Sequence, residues 1–123
     1  MGKMRSSLSI GLLALSGLIT GFCPSVQAAD PQYPAKAIQL IVPYAAGGGT
    51  DAVGRVLAES LKNVLKQDVV VVNKTGGAGA VGMNEGLRAK ADGHTLTMVT
   101  REVSILPMLG QAPFKTLDFR YVG

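Results

Sequence analysis

Two short apolar runs, each dropping straight into a glycine-rich turn and then into a helix-period pattern, leave this chain few ways to fold. The first is Ile38-Gln39-Leu40-Ile41-Val42, followed by Pro43-Tyr44-Ala45-Ala46-Gly47-Gly48-Gly49-Thr50-Asp51. The second is Val69-Val70-Val71-Val72, followed by Asn73-Lys74-Thr75-Gly76-Gly77-Ala78-Gly79. Between them Val53, Val56, Leu57, Leu61, Val64 and Leu65 recur at helical spacing, with Arg55, Glu59, Lys62 and Lys66 on the other faces. After the second turn Ala80, Met83, Leu87 and Ala91 do the same, Asp92-Gly93 makes a turn, and residues 95–99 read as a third strand. Strand, helix, strand, helix, strand predicts an α/β fold with a parallel sheet and right-handed crossovers. The four-valine run fits a strand buried on both faces of such a sheet. Residues 103–109 suit one or two helical turns, and residues 117–122 the start of a fourth strand.

In parallel sheets of this kind ligands bind beyond the carboxyl ends of the strands, so three turns should gather on one edge: 43–50, 73–79 and 100–102. Three consecutive glycines remove every Cβ from the first bend, and Thr50 or Asp51 sits where a helix N-cap belongs. The helix start behind them offers unpaired N–H groups and the positive end of a dipole, which suit a carboxylate or a phosphate.

Residues 1–28 read as a secretory signal rather than as part of the fold. Lys3 and Arg5 precede an apolar run over residues 8–22, and Val26-Gln27-Ala28 supplies small residues for cleavage. The run is short for a bilayer span and is interrupted by Ser9, Ser16 and Thr20. Cys23, the single cysteine, falls inside this segment with Phe22 before it, which argues against a lipoprotein and leaves the mature chain without thiol, disulfide or cysteine metal ligand. Loss of Lys3 and Arg5 reduces the net charge from +4 to +2, too mild for a nucleic-acid partner. Residues 29–36, with Pro31 and Pro34, read as an extended leader, and residues 37–123 as the folded part.

Several motifs weaken on inspection. Gly77-Ala78-Gly79-Ala80-Val81-Gly82 matches the dinucleotide fingerprint, with Glu102 twenty residues beyond, but residues 73–76 separate it from its strand. Gly49 and Gly54 have P-loop spacing, yet Arg55 and Val56 stand where Lys and Ser/Thr are required. Asn73-Lys74-Thr75 is formally a glycosylation acceptor and reads as a loop. His94, the single histidine, reads as a solvent-facing turn residue; one imidazole without convergent acids gives neither a catalytic triad nor a metal site. No cofactor and no catalysis are expected. The adjacent Arg101 and Glu102 admit two readings. They are a solvated pair at a helix start, or a ligand contact in which Arg101 forks onto a carboxylate and Glu102 onto an amine or hydroxyl.

The ordered set Tyr33-Pro34, residues 38–51, residues 69–74, Gly76-Gly77-Ala78-Gly79 and Ala91-Asp92-Gly93-His94-Thr95-Leu96 closely resembles the Bug family, the periplasmic solute-binding receptors of tripartite tricarboxylate transporters. The resemblance implies a two-lobed, Venus-flytrap α/β receptor that closes on a small carboxylate and delivers it to membrane transporter subunits, acting as a monomer. It implies that backbone N–H groups at the strand-to-helix turns hold the ligand: Ala46, Gly47, Gly48, Gly49, Thr50 and Asp51, with Tyr44 as a wall; Ala78 and Gly79 at the second helix; and Thr100, Arg101 and Glu102 at the third turn. The third turn is usually rich in Ser, Thr and Gly in that family, so the charged pair here is a departure. Family members are about twice this length or more, so residues 37–123 are expected to be a partial first lobe, with Gly123 a truncation point and marginal burial for independent stability. The rival readings are a Rossmann-type oxidoreductase fragment and a truncated product without function.

Overall fold

The computed structural model describes residues 32–122. The expected signal segment, the first part of the leader and Gly123 lie outside the described residues. The elements run β1 (Ile38–Val42), α1 (Gly49–Leu65), β2 (Val69–Asn73), a 3₁₀ turn (Gly77–Gly79), α2 (Ala80–Arg88), β3 (Thr95–Thr97), α3 (Glu102–Met108) and a second 3₁₀ turn (Thr116–Asp118). The sheet is parallel with order β2-β1-β3. Because the chain steps from β1 to one side and then crosses back over it, right-handed connections put α1 and α2 on opposite faces. Contacts agree: Gly54 of α1 lies against Val42 and Met98, whereas Gly86 of α2 lies against Thr97, whose register partner is Ile41.

The strand and helix alternation is as expected, with four differences. β2 is an edge strand rather than a strand buried on both faces, and Val70 is 51% exposed. The central place belongs to β1, whose Ile38, Leu40, Ile41 and Val42 are buried on both faces. A run of β-branched residues favours extended backbone wherever the strand sits, so composition alone does not distinguish centre from edge. Second, α1 does not bury the valine and leucine stripe. Val53, Val56, Leu57 and Val64 face outward, while Asp51, Gly54 and Ala58 are buried. Small residues let the helix backbone come close: a Cβ on Gly54 would sit 2.8 Å from Val42 Cγ2. Third, the stretch 117–122 forms no strand; a 3₁₀ turn occupies Thr116–Asp118 and Leu117 is exposed. Phe119 there instead packs edge-on against Phe114, at 5.2 Å between ring centres. Fourth, the His94 ring is largely buried. It meets Tyr33 edge-on at 5.1 Å, and its Nδ1 lies 3.1 Å from the Asp92 carbonyl oxygen.

The core on the α2 side joins Ala80 and Met83 of α2 to Val103 and Leu106 of α3 and to Phe114. This cluster places α3, and therefore the third turn, beside the start of α2.

Candidate functional site

The three turns at the carboxyl ends of the strands do lie on one edge, with the turn after β1 in the middle. Its shape is set from below by Asp51. That carboxylate is 2% exposed. Its Oδ2 accepts hydrogen bonds from the Gly47 N–H and from Arg55 Nε, both at 2.9 Å, and its Oδ1 from Asn73 Nδ2 at 2.9 Å. Asn73 Nδ2 also donates to the Tyr44 carbonyl at 3.0 Å. One buried anion thus ties the glycine turn to α1 and to the end of β2, and the left-handed Gly47 (φ +82°) gives the bend its direction.

The N-cap of α1 is Gly48, in extended conformation and without a side-chain cap, rather than Thr50 or Asp51. Those two residues belong to the first helical turn. The first helical bond is accepted by the Gly48 carbonyl from Ala52 N–H at 2.9 Å. Among the described residues, the N–H groups of Gly49, Thr50 and Asp51 have no hydrogen-bond acceptor, which is the open end that every helix start leaves. Ala46, Gly47, Gly48 and Gly49 are exposed and Thr50 is half-buried, so water or a ligand reaches the outer face of this turn, while Asp51 itself is buried.

The second turn is a run of left-handed residues, Gly77 (φ +54°), Ala78 (φ +53°) and Gly79 (φ +96°). The Gly76 carbonyl accepts from the Gly79 and Val81 N–H groups at 3.0 and 3.3 Å, while those of Gly77 and Ala78 have no partner among the described residues. Gly82, the last glycine of the fingerprint pattern, is a packing residue. A Cβ on it would lie 2.7 Å from the Lys74 carbonyl oxygen and 2.8 Å from Pro43 Cα.

Tyr44 joins all three turns. Its hydroxyl lies 2.5 Å from Thr100 Oγ1 and donates towards Glu102 Oε2 at 3.2 Å; Thr100 Oγ1 donates to the same carboxylate oxygen. The ring lies over Gly79, where a Cβ would stand 3.1 Å from the hydroxyl oxygen. Burial pushes the Tyr44 phenol up. The Thr100 hydroxyl, with help from the backbone N–H, Arg101 and Tyr44, holds the Glu102 carboxyl at about 2. The structure therefore brings together Tyr44, Gly79, Thr100 and Glu102, with residues 46–51 alongside. It leaves the Arg101 side chain 85% exposed, with its Nε 3.3 Å from Glu102 Oε1. Two residues that shape the site, Arg55 and Asn73, were not among the expected set. The i, i+4 spacing of Asp51 and Arg55 was the available signal for one of them.

Asp51 makes the turn acid-sensitive. Its bonds from Arg55, the Gly47 N–H and Asn73 hold its carboxyl well below the ordinary 3.8, and Glu102 is lowered from 4.5. Both folded-state values lie below the unfolded ones. The stabilisation is therefore complete above about pH 4.5 and is lost as pH falls from there towards 2. Thermal unfolding followed by circular dichroism should show the melting temperature dropping across that window. Asp51→Asn should lower the melting temperature at pH 7 and flatten the acid slope; an unchanged slope would show that Asp51 is not held as described.

Among the described residues no group of three His, Cys, Asp or Glu side chains is placed to hold a metal ion, and no helix is long and apolar enough to cross a membrane.

Comparison with known proteins agrees with this fold. The tripartite tricarboxylate transporter family receptor (TctC) model matches residues 53–122. Protein BugT of Bordetella pertussis is 37% identical over 113 residues, covering 87% of this chain and 34% of BugT. A TctC solute-binding protein from Polaromonas superposes with a TM-score of 0.65 at 37% identity, over 68% of this chain and 29% of that one. An R. palustris protein solved with adipate gives 0.56 at 30% identity, over 58% and 24%. The chain thus spans about a third of the length of these relatives. The parallel sheet with its helices is part of their solute-binding fold. With more than half of its residues matched by the family model, this chain belongs to the tripartite tricarboxylate transporter receptor family.

Proposed function

We propose that this chain supplies one wall of the ligand cleft of an exported receptor, which captures a small carboxylate and passes it to the membrane subunits of a tripartite transporter. The observation that carries the reading is the array of acceptor-free N–H groups at Gly49, Thr50 and Asp51, opened by three residues without side chains and braced from beneath by Asp51, Arg55 and Asn73. Such an array favours an anion through both its donors and the helix dipole. Gly77 and Ala78 offer a second pair of N–H groups across the edge, with Tyr44 between as the wall. A relative of this chain was solved with adipate, a molecule with a carboxylate at each end, and two separated donor sets suit such a ligand. The role is binding rather than catalysis. The signal-like segment at residues 1–28 supports export to the periplasm.

The test is an amide-resolved NMR titration of the ¹⁵N-labelled chain with adipate, succinate and citrate up to on the order of 10 mM, since one wall of a cleft is expected to bind only in the millimolar range. The expected result is saturable shifts at Gly49, Thr50, Asp51, Gly77 and Ala78. Shifts no larger than those given by sodium chloride of equal ionic strength would refute the assignment.

A further inference from the structure

We propose that the free edge of β2 docks a second copy of this chain, the two edges pairing antiparallel about a two-fold axis at Val71. The inference is independent of the ligand reading, and it departs from the monomer that the family resemblance implies.

β2 ends the sheet on one side and pairs only with β1. Ile38 N–H donates to the Asp68 carbonyl at 2.8 Å and Lys74 N–H to the Val42 carbonyl at 2.9 Å, so the even-numbered residues of this stretch turn their backbone groups towards β1. By the two-residue period of a strand, the N–H and C=O groups of Val69, Val71 and Asn73 turn to the open side. Such an edge is a template for another strand unless proline, lysine or a bulge blunts it, and Val69–Asn73 carries none of the three.

The charges at the two ends of β2 select a second copy and one register. Asp68 precedes the strand and Lys74 follows it. With Val71 opposite Val71 of the second copy, Val69 stands opposite Asn73, and these pairs exchange all the outward backbone bonds. Val70 then faces Val72, and Asp68 faces Lys74, at both ends of the pairing. A shift of two residues one way sets Asp68 against Val72 of the other copy, and the other way sets Lys74 against Val70. In the matched register the half-exposed Val70 gains an apolar cross-strand neighbour. Asp68 already meets Lys62 at 2.9 Å and Lys74 meets Glu85 at 3.2 Å, but all four side chains are exposed and their charges stay open to a further partner. On the α1 side a cavity of about 330 Å³, lined by Arg55, Glu59, Lys62 and Val69, Val70 and Val71, leaves room for side chains from the second copy's α1. The antiparallel arrangement points the two sets of glycine turns away from each other, so both stay open.

The test follows the 123-residue chain from about 20 µM to about 1 mM by sedimentation equilibrium and by amide hydrogen exchange. The expected result is a monomer–dimer equilibrium with a dissociation constant below about 1 mM, as suits a small interface. Exchange at Val69, Val71 and Asn73 should slow as the dimer fills, whereas Val70, Val72 and Lys74, already turned to β1, should not change. Asp68→Lys and Lys74→Asp should each weaken self-association by about tenfold, because each turns two attractive pairs into repulsive ones. Mixed in equal amounts they should associate as the unmodified chain does, since each supplies the charge the other lacks; a dispersed amide spectrum confirms that each variant is folded. A chain still monomeric at the top of this range would overturn the proposal. So would association that leaves the three outward amides unprotected, a comparison that needs no variant, or association that mixing the two folded variants does not restore.

Discussion

Gly82→Ala should destabilise the chain by about 3 kcal/mol, the upper end of the ordinary cost of overpacking a tight contact. The added carbon would lie 2.7 Å from the Lys74 carbonyl oxygen, 2.8 Å from Pro43 Cα and 2.9 Å from Pro43 Cβ. Two of these three atoms are backbone, and they belong to the turns after β2 and β1. Neither can rotate out of the way, so α2 must lift from the sheet edge. Lifting α2 pulls Met83 and Ala80 out of the cluster they share with Val103, Leu106 and Phe114. For a domain of this size the loss corresponds to a fall in melting temperature of roughly 10–20 °C. Gly86→Ala, where the new carbon would overlap the Thr97 side chain, should cost a comparable amount. Gly49→Ala is the control: a Cβ there meets nothing within 4 Å, and the change should be neutral or slightly stabilising. Thermal unfolding by circular dichroism decides the matter, and a Gly82→Ala chain melting within a few degrees of its parent would mean that α2 does not approach the turns this closely.

Gly48→Val should leave the fold standing and abolish the response to dicarboxylates, with affinity lowered by at least about tenfold. Gly48 has φ −78° and ψ 169°, a conformation valine adopts readily, and its nearest neighbour for a Cβ is the Ala45 carbonyl oxygen at 3.3 Å. The backbone conformation therefore costs little, and the Ala45 carbonyl must give by a few tenths of an ångström. The isopropyl group, however, would stand at the mouth of the N–H array of Gly49, Thr50 and Asp51. An oxyanion held by N–H groups must approach to about 2.9 Å, and a branched carbon in that path prevents it. Two measurements on the same sample separate folding from binding: the dispersed amide spectrum should persist, and the ligand-induced shifts should vanish. Retained binding at Gly48→Val would move the site away from the first turn. Gly47→Val would not serve the same purpose, because its φ of +82° would strain any branched residue and confuse the two effects.

How far the sequence could be read depended on what each position had to say locally. β1 was legible to the residue because an apolar run bounded by Pro43 and the glycine turn has few alternatives. The burying face of α1 was not. Periodicity weighs large side chains and so picks Val53, Val56 and Val64, whereas the sheet is met by Gly54 and Ala58, chosen for the space they leave. The turns themselves were visible through their glycines. What links them was hidden, since Tyr44 finds Thr100 and Glu102 more than fifty residues away and only the folded topology brings them together. Asp51 likewise looked like a candidate cap, and only its three donors show it to be a buried brace.

The central position of β1 also has a consequence in time. It is the first of the described strands and the most buried, yet it pairs with β2 through Ile38 and Val69 and with β3 through Gln39 and Thr95, both far along the sequence. No hairpin can shelter it early. Each pairing must wait for a helix-length loop to close, and contacts of that separation form slowly. Until then Ile38, Leu40, Ile41 and Val42 present an unpaired sticky edge on both sides, the kind of segment through which nascent chains find one another. The residue order that makes β1 the keystone of the finished sheet therefore also makes it the chain's most vulnerable stretch before the sheet exists.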